Sequence, residues 1–156
     1  MTFSLRFLLA GLLLASFFVG SCGKDDAPAT PAPDPTLYER LGGVGAISLV
    51  VDQFLANVVA DNRINGRFAA TVADPYRTRL LRYNLIDQVC AGSGGPCQYK
   101  GKTMLEAHTG MNITEAEFSA LVEDLVAALD AFNVPDREKN ELLAVLGPMQ
   151  PDIVGH

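Results

Sequence analysis

GGPCQYKGKTMLEAHTGMNI, Gly94–Ile113, is the stretch from which the rest of the chain is read, and its centre is His108. The chain has 2 histidines, and the other, His156, is its last residue. An imidazole matters because its uncharged form offers a lone pair to a metal. His108 falls in one or two helical turns, with Met104 and Leu105 four and three residues before it on the same side. Gly110 is a helix stop. By spacing alone, His108 is more readily a packing residue at the edge of a core than a ligand.

Outward from this stretch the apolar residues recur at intervals of three and four. Val44 to Ala60 carries Ile47, Val50, Val51, Phe54, Leu55, Val58 and Val59, an amphipathic helix with a wide apolar face. Asp61-Asn62 breaks it, and Ile64 to Phe68 reads as a short link. Asp74-Pro75 opens the next helix, the acid as cap and the proline in the first turn. Its apolar face is Leu80, Leu81, Leu85, Ile86 and Val89, and Gly92 to Gly95 ends it. Thr114 to Glu117 is a capping box before Phe118, Leu121, Val122, Leu125, Val126 and Leu129. A last helix over Glu138–Leu146 stops at Gly147-Pro148. No segment alternates with period two, so the chain reads as one all-α domain with about four main helices. Its length of 156 residues and 49% apolar composition suffice for one core. A net charge of −6 without a basic cluster argues against nucleic acid as a partner.

The N-terminus reads differently. Arg6 is followed by FLLAGLLLASFFVG, an apolar run of 14 residues, short for a membrane span and right for a secretory leader. It ends at Val19-Gly20-Ser21-Cys22, which resembles a bacterial lipoprotein signal with Cys22 as the lipidated residue; plain secretion is the alternative. Several acyl chains hold a membrane firmly where one does not. Gly23 to Thr36 holds four prolines and almost nothing apolar, an extended tether of about 40 Å at ~3.1 Å per residue. The expected organisation is a leader over 1–21, lipidated Cys22 and tether over 22–36, and a domain over 37–156. That places the domain outside the cytoplasm, anchored by lipid to a bacterial membrane, with the periplasmic face expected.

With LYERLGG at Leu37–Gly43, the sequence around His108 resembles the group 1 truncated haemoglobins. The resemblance rests on Gly94-Gly95-Pro96, Tyr99, Gly101, Met104 and Ala107-His108-Thr109-Gly110 in that order, and it extends to about Ile153. It implies a shortened globin fold, a two-over-two helical sandwich with haem b as cofactor. His108 becomes the axial ligand to iron. Phe54, Phe68, Leu81, Leu85, Met104, Met111 and Val126 become cofactor contacts. Leu55 stands where many members have tyrosine, and Leu81 and Leu85 stand where glutamine is frequent. The distal side is therefore expected to be apolar, with Tyr83 and Asn84 as the alternative donors. A donor to oxygen is worth roughly 1.5–3 kcal/mol, so its loss speeds release about 10–150-fold. Weak oxygen binding beside good carbon monoxide and nitric oxide binding is the expectation. Lys100 and Lys102 either meet the haem propionates or are solvated surface.

Cys90 and Cys97 flank the Gly94-Gly95-Pro96 turn, and either a disulfide or two thiols suits them in an exported protein. The resemblance implies a haem protein that binds a diatomic gas reversibly, with any electron donor unidentified. Two rivals are a haem enzyme (nitric oxide dioxygenase or peroxidase-like) and a cofactor-free helical lipoprotein that binds a partner.

Overall fold

The computed structural model describes residues 33–156, so the leader, Cys22 and most of the tether lie outside the described residues. Pro33–Thr36 is exposed and non-helical, and Thr36 caps the first helix. The helices are α1 (Leu37–Arg40), α2 (Gly43–Ala60), α3 (Asn65–Val72), α4 (Pro75–Gly92), α5 (Met104–His108), α6 (Glu115–Ala131) and α7 (Asp136–Leu146), closed by a 3-10 helix over Gly147–Asp152. Among the described residues the nearest thing to a sheet is an isolated bridge between Ile113 and Val154.

Local chemistry sets the ends. The Thr36 hydroxyl accepts from the Glu39 N–H while the Glu39 carboxylate accepts from the Thr36 N–H, a reciprocal cap that lets a four-residue helix form. Gly42 and Gly43, at φ +88° and +72°, turn the chain into α2 through a backbone region that a Cβ disfavours. The Asp74 carboxylate accepts from the N–H groups of Tyr76 and Arg77, and Pro75 needs no N–H partner at the first position of α4. Ile64 to Phe68, expected as a plain link, instead runs into the eight-residue α3. At eight residues it is too short to show a clear helical period, and it packs against α4 and α2.

Helix α2 packs against α4 and α6, and with α7 these form a two-over-two sandwich. Its composition would allow it to cross a membrane. Ile47, Val51, Phe54 and Val58 bury that apolar face in the domain instead. Ala120, Ala128 and Leu129 are the buried positions of α6, and the two alanines let α2 come close. Leu37, Leu129 and Leu142 join α1, α6 and α7, and Arg40 Nε donates to the buried Glu138 carboxylate at 2.8 Å across the same seam.

One group in this frame is poorly served. Asp124 on α6 has a buried Oδ2 with no partner, although its main-chain carbonyl accepts from Asn57 Nδ2 at 3.0 Å. Burial, then the neighbouring Asp61 charge, pushes its carboxyl above the ordinary aspartate range. A raised native pKa means the ionised form costs stability above that pKa, and the cost fades as pH falls through it. Asp124→Asn is therefore expected to raise the melting temperature by a few degrees at neutral pH, about 1 kcal/mol, with the gain shrinking towards pH 4. Thermal melts of both proteins from pH 4 to 8 check this, and a constant difference would refute the assignment.

Candidate functional site

Helices α2, α3, α4 and α6 and the segment through α5 surround a cavity of about 570 Å³. Its histidine is carried on a helix of five residues, far too short to stand alone. Both ends of α5 are held. Thr103 and Glu106 form a reciprocal cap at its start, and the Thr109 hydroxyl donates to the Leu105 carbonyl at 2.6 Å at its end. Gly110 then reverses the chain at φ +83°. From α3, Arg67 Nη1 donates to the Met111 carbonyl at 2.8 Å while its Nε meets Glu117 of α6 at 2.7 Å. The N–H of Gly155 donates to the Ile113 carbonyl at 2.9 Å. The segment after His108 is thus fastened to α3, α6 and the last residues of the chain.

His108 lines the cavity, and its Nδ1–H donates to the Met104 carbonyl at 2.7 Å. A carbonyl only accepts, so this bond places the proton of the neutral ring on Nδ1 and leaves the Nε2 lone pair available to a ligand. Among the described residues, no three His, Cys, Asp or Glu side chains gather as a metal cage. A lone imidazole in a mainly apolar chamber suits a metal whose other bonds come from a non-protein group.

Of the residues named from the sequence, Phe54, Phe68, Leu81, Leu85, Met104 and Met111 line this cavity. Leu55 and Val126 do not. Leu55 is turned about 100° from Phe54 on α2 and lines a neighbouring cavity of about 390 Å³ instead. Val126 lies about 7.5 Å further along α6 than Leu121, the last residue of that helix to reach the chamber. Leu105, expected beside His108, is exposed. The neighbouring cavity shares Phe68 and Leu81 with the first.

The α4 wall is not wholly apolar. Asn84 lines the cavity together with Leu81 and Leu85, because the chamber takes in a broader arc of α4 than one stripe of side chains. Tyr83 points away, exposed, with Arg82 5.9 Å from its ring centre. Gln88 also lines the chamber and donates to the Met149 sulfur at 3.0 Å. Nothing in the sequence reading singled it out, although it continues the Leu81–Leu85 stripe by one step. Tyr99, Lys100 and Lys102 bring a polar edge; neither lysine has an ion-pair partner among the described residues. Cys90 and Cys97 are joined as a disulfide beside this edge.

Glu117 deserves a pH test, since it caps α6 through Thr114 and also receives Arg67. The Arg67 guanidinium, then the Thr114 N–H and hydroxyl, hold its carboxyl down at about 2, against an ordinary 4.5. The stability it adds is complete above 4.5 and is lost as pH falls through about 2. Glu117→Gln is expected to lower the melting temperature by about 2–4 °C at neutral pH, with the gap to the parent closing between pH 4.5 and 2. A gap that persists at pH 2 would show that the charge is not responsible.

With this geometry in place, three comparisons bear on it. A bacterial-like globin family model matches residues 36–154. The chain is 38% identical over 120 residues to a group 1 truncated haemoglobin of Tetrahymena pyriformis, covering 77% of this chain and 95% of that one. It is 32% identical over 122 residues to a group 1 truncated haemoglobin of Mycolicibacterium paratuberculosis, covering 78% and 86%. Among solved structures, the Fe(III) form of the Tetrahymena pyriformis protein superposes with a TM-score of 0.71 at 34% identity, covering 78% of this chain and all of that one. A 2/2 haemoglobin of Synechococcus, in the cyanomet state with covalently attached haem, gives 0.70 at 29% identity, covering 77% and 98%.

Proposed function

The chain belongs to the bacterial-like globin family, among the group 1 truncated haemoglobins, and we propose that it is an exported, lipid-anchored member that holds haem b on His108. It is a haem protein that binds a diatomic gas. When bound, haem supplies an iron that takes oxygen, nitric oxide or carbon monoxide reversibly.

The observation that carries the site assignment is the His108 ring, fixed by Met104 with Nε2 left over, in the wall of the larger cavity. The residues present suit the group. Phe54, Phe68, Leu81, Leu85 and Met111 supply apolar wall that excludes water. Lys100 and Lys102 suit the propionates at the edge. Asn84 is the distal donor in this reading, since its amide has no hydrogen-bond partner among the described residues while Tyr83 faces solvent. The adjoining cavity, lined almost wholly by apolar side chains, suits an uncharged gas more than water.

Titrating the purified chain with hemin tests the haem site: a Soret band saturating at one equivalent is expected. A preparation that stays colourless would return the protein to the class of cofactor-free helical lipoproteins. Asn84→Leu is expected to quicken oxygen release by roughly tenfold for each 1.4 kcal/mol of hydrogen bond lost, with carbon monoxide release little changed. An unaltered oxygen rate, measured by stopped flow, would show that Asn84 is not the donor.

Support for export comes from the apolar run ending at Val19-Gly20-Ser21-Cys22 and from the Cys90–Cys97 disulfide, which belongs in an oxidising compartment. The mass of the mature N-terminus, expected to carry acyl chains on Cys22, tests the anchor.

A further inference from the structure

The loop between α4 and α5 forms one side of the cavity, through Tyr99, Lys100, Gly101 and Lys102. It has few ties of its own. From Pro96 to Lys102 no main-chain N–H or carbonyl bonds to another part of the backbone, and the Tyr99 hydroxyl donates within the loop, to the Lys102 carbonyl at 2.7 Å. At its far end the loop passes into the Thr103 cap and the helix that carries His108. At its near end it is covalently fastened by Cys97 to Cys90, which is 0% exposed in a cluster with Ile47, Val51 and Ile86. The partners differ in access, since Cys97 is partly exposed.

We propose that the Cys90–Cys97 disulfide is a redox modification site, opened by an external dithiol, that sets how firmly the cavity retains haem. The inference rests on the haem reading above. A thiolate of the dithiol attacks the Cys97 sulfur, the Cys90–Cys97 bond breaks, and Cys90 leaves and takes up a proton in the core. The second thiol then attacks the mixed disulfide and releases Cys97 as a thiol. The dithiol is oxidised to its own disulfide, and two electrons and two protons pass to the cysteines. What changes is local: one wall of the chamber loses its fastening, while the helix contacts of α2 with α6 stay intact.

The test uses the haem-loaded full chain, oxidised, treated with dithiothreitol, and as Cys97→Ser without reductant. Alkylation followed by mass measurement is expected to find two new thiols after dithiothreitol under native conditions. Haem transfer to an excess of an apo-globin acceptor is expected to run about tenfold faster or more in both opened forms. Hydrogen exchange is expected to quicken at residues 98–103 while the core of α2 and α6 stays protected. A bond that opens only in denaturant, a transfer rate unchanged within twofold, or loss of protection throughout α2 and α6 would each overturn the inference and leave the haem reading standing. A missing Soret band in the oxidised protein would bring down both.

Discussion

His108→Ala is expected to leave a folded chain that no longer retains haem. Affinity for hemin should fall at least ~100-fold, about 2.7 kcal/mol, because no other imidazole lines the cavity. The nearest substitutes are the thioethers of Met104 and Met111, which are weaker donors to ferric iron. The fold itself should survive, since His108 belongs to none of the buried clusters and its ring bonds only within α5. Circular dichroism and a hemin titration on the same samples separate the two effects. Adding imidazole to His108→Gly should restore part of the band, a rescue that a purely structural histidine would not show. A parental Soret band in His108→Ala would end the assignment.

Gly95→Ala carries the largest expected effect on stability. A Cβ there would lie 2.5 Å from a Tyr38 ring carbon, 2.7 Å from the Cys90 sulfur and 2.8 Å from the Cys90 carbonyl oxygen. None of these can yield easily. The Gly95 N–H donates to that same carbonyl at 2.8 Å, the sulfur is bonded to Cys97, and the Tyr38 hydroxyl accepts from the Val44 N–H at 3.2 Å. Relieving the overlap means moving the turn off the end of α4, at a cost of about 2–4 kcal/mol. That corresponds to roughly 10 °C in melting temperature for a domain of this size. Gly45 in α2 is the control: a Cβ there meets nothing within 4 Å, so Gly45→Ala should be neutral or stabilising by up to ~1 kcal/mol. Equal melting temperatures for the two variants would show that the close approach at Gly95 is not real.

The effect at Gly95 shows how much of this protein is local. Gly42, Gly43 and Gly94 all sit at positive φ, so the glycine pairs of the sequence mark turns that other residues would strain. The reciprocal caps at Thr36, Thr103 and Thr114 are likewise contained within four consecutive residues each. The third is legible in the sequence as a capping box, whereas Thr36 reads there as the end of the tether. The cap at Thr103 is not legible either, because a helix of five residues is too short to show a period.

Which residues reach the chamber was less legible. Phe54 and Leu55 are neighbours of like character, and only the crossing of α2 with α4 and α6 sends one to the larger cavity and the other to the smaller. The family resemblance implies Leu81 and Leu85 on α4 with Asn84 as an alternative donor, whereas the chamber meets all three. Arg67 was invisible as a brace, since its partner Glu117 is 50 residues away and meets it only when α3 is brought against α6.

By itself, then, the sequence determined the four long helices and the glycine turns between them, because periodicity and backbone strain act over a few neighbouring positions, while His108 was singled out by resemblance to a known family. The tertiary structure alone decided which arc of each helix faces the cavity, whether Cys90 meets Cys97, and what braces the turn after His108. Those depend on distances between segments that share no local pattern, and are set by how the helices cross.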